Sequence, residues 1–234
     1  MLFEFQLSDT LLPLQYGYYR IKTAEHATSD LPADLELTCG VPNEDNNKDK
    51  RGSNDDDYYV YTHPKTRPYY TCVSDIWELK PGKVVGTYKI ERPFLLDWSK
   101  DAFNSEYDHS KKFFLSASSI PQADKRNNFS NRVSAHMDEN KAMSWKIQKA
   151  RSSADGDTDA TWKIITTEVK DGNTVIQNAG WGLCSWGRMI RDGKSYRTGE
   201  SFFALVCNEE DWITEWKLEM ISEEVFKEDT GVEN

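Results

Sequence analysis

Along most of the chain apolar and polar residues alternate in short runs, with the period of two that belongs to strands packed on one face. The runs are rich in Tyr, Phe, Trp, Val, Ile and Thr and end in Gly, Pro, Asn or Asp, so they predict strands punctuated by turns. YYRIKT (18–23), TYKIER (87–92) and TWKIIT (161–166) are three such runs, with Tyr19, Tyr88 and Trp162 at 69 and 74 residue intervals. Helical periodicity is scarce. Only the tail EMISEEVFKED brings Met220, Val225 and Phe226 near helical spacing, and there a short helix and a frayed end both stand open.

A second trio shares the interval. IWELKP (76–81), MSWKIQK (143–149) and EWKLEM (215–220) place Trp77, Trp145 and Trp216 at spacings of 68 and 71. Between the two trios lie LELTCG (35–40), FFLSAS (113–118) and TVIQNAGWGLCSW (174–186), read as second strands, and YYTCVS (69–74), NRVSAH (131–136) and FFALVC (202–207), read as third strands. Four strands in each of three units predict about twelve in all. The long polar stretches 41–57, 95–111 and 187–200 then fall between strands, where individuality of function is expected.

Three four-stranded units with recurring aromatics resemble the β-trefoil superfamily over roughly residues 16–220. The resemblance implies an all-β fold, a β-trefoil in which units at approximately 16–82, 83–150 and 160–220 form a six-stranded barrel capped by three hairpins, in a single domain. Residues 221–234 are left as a C-terminal tail, a short helix or disordered. It also implies that the aromatics of the first and fourth strands fill the barrel, each ring worth a few kcal/mol. A β-sandwich is the structural alternative, but sandwiches show no threefold period.

Composition narrows the function classes. The formal net charge of −10 argues against a nucleic-acid partner, since phosphates are held by clustered Lys and Arg. The basic run KDKR (48–51) is flanked by acidic residues and reads as a solvated loop. No apolar run approaches the roughly 20 residues of a membrane span. Glu4 stands where a signal peptide would carry positive charge, so the expected location is the cytoplasm, a non-classical secretion route, or a mature form with an added Met. Cys39, Cys72, Cys184 and Cys207 lack zinc-site spacing. They are buried thiols or two disulfides, 39 with 72 and 184 with 207, the latter state worth roughly 3–4 kcal/mol per bridge and forbidden in a reducing cytosol.

Catalytic chemistry finds no motif. His26, His63, His109 and His136 stand in separate segments without metal-ligand spacing, and no Gly-x-Ser-x-Gly elbow occurs. Asp155, Asp157 and Asp159 alternate like the start of a calcium loop, but Ala160 takes the place of its glycine and Thr166 that of its bidentate Glu. The triplet NFS (128–130) fits a glycosylation acceptor only weakly. No enzyme, cofactor or metal is expected. AGWGLCSWGR (179–188) is the most unusual stretch: Trp181 and Trp186, an odd number of steps apart, face opposite sides of a regular strand, so one can be core and the other exposed to stack on a sugar. The alternative is a bend at Gly180, Gly182 and Gly187 with both rings covering the barrel end.

The β-trefoil resemblance implies binding functions. The first expectation is a carbohydrate-binding, lectin-like protein using Trp181, Trp186, Arg188 and Asp192 on a glycan or glycoprotein. Ricin-B-type lectins carry Gln two residues before the unit-ending Trp, where this chain has Asp75, Met143 and Thr214. The second is a protease inhibitor of the Kunitz or mycocypin type, suggested by the opening YGYYRI (16–21), with residues 41–57 as the exposed loop. A scaffold or toxin component that binds another protein is the third.

Overall fold

The computed structural model describes residues 14–24, 33–40, 57–64, 76–93, 95–96, 107–108, 112–119, 131–136, 138–150, 160–171, 174–177, 180–190, 201–207 and 213–230. The first unit is β1 (Gly17–Thr23), β2 (Leu35–Gly40), β3 (Asp57–Pro64) and β4 (Ile76–Pro81). The second begins with β5 (Tyr88–Arg92), carries a small hairpin of β6 (Leu95–Leu96) and β7 (Tyr107–Asp108), and ends with β8 (Phe113–Ser119), β9 (Asn131–His136) and β10 (Trp145–Lys149). The third is β11 (Trp162–Thr166), a hairpin of β12 (Glu168–Asp171) and β13 (Thr174–Gln177), then β14 (Gly182–Ile190), β15 (Ser201–Cys207) and β16 (Trp216–Ile221). The chain continues into α1 (Glu223–Thr230).

The first and last strands of each unit close a ring. β1 pairs with β4, β4 with β5, β5 with β10, β10 with β11, β11 with β16, and β16 with β1, every contact antiparallel. Closure removes the sheet edges that six separate strands would leave open. The middle strands form three hairpins, β2–β3, β8–β9 and β14–β15, which also pair with one another through β3–β9, β3–β15 and β9–β15. Each hairpin is joined to the ring at the far end of its unit's first strand, as at Lys22↔Glu36 and Ile165↔Gly182. This is an all-β, trefoil-like barrel with a three-hairpin cap.

The alternating pattern fills it. Ile21, Ile90 and Ile164 stand at corresponding places on β1, β5 and β11 and are wholly buried, as are Trp77, Trp145 and Trp216 at the starts of β4, β10 and β16. The tryptophans do more than occupy volume. Each indole N–H donates to a leucine carbonyl on its own unit's second strand: Trp77 to Leu37 at 2.8 Å, Trp145 to Leu115 at 3.2 Å and Trp216 to Leu183 at 3.1 Å. Each ring thus satisfies a buried acceptor that would otherwise cost about 1–3 kcal/mol, while tying barrel to cap. The opposite end of the barrel is crossed by the segment before β1, where Leu14 packs on the core and the hydroxyls of Tyr19 and Tyr88 donate to the carbonyls of Gln15 and Leu14.

Several expectations are corrected. The strand that pairs with β2 to complete the first unit's hairpin is Asp57–Pro64, and the 69–74 run expected there lies outside the described residues. Asp57 therefore ends the polar stretch 41–57 inside a strand. The second strand of the third unit is Gly182–Ile190, and the TVIQ assigned to it belongs to an inserted hairpin. Aligned on Leu37, Leu115 and Leu183, Cys39 corresponds to Ala117 and Ser185, whereas Cys184 corresponds to Thr38 and Ser116. The two cysteines therefore face opposite sides: Cys39 joins the main core, and Cys184 packs in a satellite cluster with Cys207 and Ile213. Cys184 and Cys207 form a disulfide. Cys39 Sγ accepts from Arg92 Nη1 at 3.1 Å, and Cys72 lies outside the described residues.

The tail is ordered as α1. Phe226 stacks on Tyr18 with ring centroids 3.9 Å apart and packs with Ile76 and Ile221 on the outer wall of the barrel. The apolar spacing that was compatible with helix or fray is decided by this partner, since an eight-residue helix has little stability of its own.

Candidate functional site

The residues expected to bind sugar are only partly placed. Trp181 precedes β14, is half-buried and packs against the barrel core, and its carbonyl accepts from the Thr166 N–H at 2.8 Å. Trp186 and Arg188 lie on β14 where the register with β15 shifts between Ser185 and Met189, an irregularity that redirects the strand. Asp192 lies outside the described residues, as do Asp155, Asp157, Asp159, His26 and His109. Of the positions that ricin-B-type lectins use, Met143 is a core residue and Thr214 Oγ1 accepts from the Ser185 N–H at 2.8 Å. Of the four expected ligand residues only Trp181 has a described side chain, and the grouping of the four lies outside the described residues.

A different feature was missed. The turn joining β4 to β5 reads Pro81-Gly-Lys-Val-Val-Gly-Thr87, and it exposes Val84 by 53% and Val85 by 102%, while Lys83 is exposed beside them. Aliphatic side chains are ordinarily kept out of water, so two together on a turn tip are informative. The sequence carried a signal for this: a Gly-flanked turn normally filled with polar residues holds two β-branched apolar ones.

The turn is tightly tied. Gly82 N–H donates to the Thr87 carbonyl at 2.9 Å, and the Thr87 N–H and hydroxyl both donate to the Val84 carbonyl, at 3.1 and 2.5 Å. A Cβ on Gly82 would sit 2.3 Å from Thr87 Oγ1 and 3.0 Å from its carbonyl carbon, so only glycine lets the two strands approach this closely. Gly86, at φ 78, supplies the left-handed residue that turns the chain back. The Lys83 N–H donates to Ser144 Oγ at 3.2 Å and its Nζ to the Asn140 carbonyl at 3.5 Å.

Below the turn, on the outer wall, Glu91 is buried with its carboxylate among lysines. Lys80 Nζ lies 2.6 Å from Oε1, Lys89 Nζ 3.1 Å from Oε2 and Lys112 Nζ 3.5 Å from Oε1. Burial pushes the Glu91 carboxyl up, but hydrogen bonds from Lys80 and Lys89, with their charges, outweigh it and hold the group below its ordinary value. Burial depresses Lys80 and Lys89, and their carboxylate partners, Glu91 with Glu78 for Lys80 and Glu139 with Glu91 for Lys89, raise both above the ordinary range.

Two buried histidines complete the inventory. His136 Nε2 lies 3.0 Å from Ser134 Oγ on β9, and His63 is buried at the pairing position opposite Glu36. Among the described residues no group of three His, Cys, Asp or Glu is placed to hold a metal ion, and no helix is long and apolar enough to cross a membrane.

Barrel and cap define the chain as a trefoil-like β protein, with a hydrogen-bonded turn that exposes two valines. Searches with the whole chain found no matching family model, no matching curated protein and no matching solved structure.

Proposed function

We propose that the protein is a non-catalytic binding module of the protease-inhibitor kind that presents the Lys83–Val84–Val85 turn to its target. One observation carries the reading: Val84 and Val85 stand in water on a turn whose backbone is already fixed by four hydrogen bonds, counting those to Ser144 and from the Thr87 hydroxyl. A loop ordered before binding loses little entropy on docking, and burying each valine is worth about 1.5–3 kcal/mol. Lysine beside aliphatics suits the cleft of a serine protease whose specificity pocket holds a carboxylate. This loop differs from the 41–57 stretch suggested by sequence, of which 41–56 lie outside the described residues.

Inhibition assays against trypsin-like, chymotrypsin-like, papain-like and Asn-specific proteases test the reading. Inhibition of the trypsin-like class is expected, weakened about 10-fold or more by Val85→Asp, because a carboxylate would be desolvated in the interface. Val85 touches nothing that the fold needs, so the variant should remain folded. Absence of inhibition by micromolar protein across all four classes removes the proposal.

A carbohydrate-binding reading is kept for the third unit, supported by the half-buried ring of Trp181 beside the exposed Gly180. It predicts sugar-dependent thermal shifts or glycan-array binding that Arg188→Ala abolishes. Silence in both would discard it.

A further inference from the structure

The exposed turn is connected to the buried carboxylate by a continuous line of contacts. Lys83 reaches the segment leading into β10 through Ser144 and Asn140. Ser144 is anchored, since its carbonyl accepts from the Thr167 N–H at 3.2 Å and hydroxyl at 3.0 Å. Asn140 belongs to a short 3-10 turn, Glu139–Lys141, capped by Asp138. Glu139 in that turn meets Lys89 Nζ at 2.5 Å, and the same ammonium lies 3.1 Å from Glu91 Oε2 and 5.2 Å above the Phe114 ring.

Charge decides what this cluster is for. Lys80, Lys89 and Lys112 face Glu78, Glu91 and Glu139, so the charges balance within the cluster. Its effect is mechanical. An exposed ion pair is ordinarily weak because two flexible side chains must be held together. Here Lys89 is already localised by buried Glu91 and by Phe114, which leaves Glu139 to find a fixed partner.

We infer that Glu91, Lys89 and Glu139, continued along the segment to Ser144 and from its hydroxyl to the Lys83 backbone N–H, form a strut that sets the position of the Lys83–Val85 tip and leaves the Lys83 ammonium able to exchange Asn140 for a partner, with Lys89 and Glu139 as positioning residues for partner binding. The inference rests on the reading of that turn as the binding element. It adds a cause for the turn's rigidity that lies outside the turn itself.

The test uses the full chain with Glu139→Gln, a substitution at an exposed side chain, and with Lys89→Met as a second variant. Hydrogen exchange is followed at the Lys83 and Thr87 amides, with amides of β4 and β10 as internal references. Both variants are expected to exchange about 2- to 5-fold faster at Lys83 and Thr87, with reference amides unchanged, and the Glu139→Gln difference should shrink in high salt. Any inhibition should weaken by a similar factor. Exchange at Lys83 and Thr87 equal to that of the unmodified chain in both variants overturns the strut, whether or not a protease is inhibited. Faster exchange in a protein that inhibits no protease keeps the strut and removes the inhibitor reading instead.

Discussion

Trp145 shows how much one side chain is asked to do. Its ring is wholly buried and its N–H serves Leu115, so Trp145→Phe removes both volume and a donor. A loss of about 2–3 kcal/mol is expected in urea unfolding, from the orphaned carbonyl plus the cavity. A change under about 0.5 kcal/mol would show that the bond is dispensable. Glu91 is the electrostatic counterpart. Its folded value lies below the ordinary 4.5, so its contribution is complete above that pH and is lost as acid lowers the pH through the depressed value. Lys80 and Lys89 carry the opposite sign: raised above 10.5, their contribution is complete below that and fades as the pH rises through the raised values. Glu91→Gln should cost about 2 kcal/mol near neutral pH, less than a fully buried pair because the lysines can rehydrate, and the difference should close in acid below the lowered value. Parallel stability curves for the two proteins down to pH 2–3 would refute this assignment.

Among elements, the β4–β5 turn is one whose geometry dictates its residues. Gly82→Ala forces a Cβ into Thr87 and should cost about 1–3 kcal/mol while freeing the tip. At Gly86, where a Cβ meets nothing within 4 Å, alanine suffers only the left-handed backbone, about 1–2 kcal/mol. Thermal melts and proton chemical shifts of Thr87 separate the two: Gly82→Ala should displace the Thr87 signal strongly, and an unshifted signal would contradict the close approach. The inserted hairpins β6–β7 and β12–β13 show the limit of pattern reading at this scale. TVIQ has the composition of a core strand, yet it belongs to a hairpin added at the edge of the cap through a parallel contact between β12 and β8.

Across the whole molecule, closure depends on residues far apart in the chain, with β1 and β16 paired from Tyr18↔Ile221 to Thr23↔Trp216. Such non-local pairing makes folding slow and makes constraints on the unfolded chain valuable. The Cys184–Cys207 bridge spans a sequence separation of 23, for which loop entropy suggests roughly 3 kcal/mol. Reduction, or Cys207→Ser, should lower the urea midpoint accordingly. Identical midpoints with and without reductant would show that the bridge contributes nothing.

Local chemistry was enough to determine the strands of the barrel and their buried tryptophans, because a period of two and an aromatic at each strand start are properties of neighbouring residues. The first strands at 18–23, 87–92 and 161–166 and the last within the runs 76–81, 143–149 and 215–220 were legible for that reason. What the tertiary structure alone decided was pairing and exposure. That Asp57–Pro64 enters the cap depends on its meeting β2 and β9, and that Trp181 leans on the core depends on a core to which all three units contribute. The glycines at 82 and 86 marked a turn holding Val84 and Val85, but only the closed β4–β5 connection showed that these two side chains have no interior to enter.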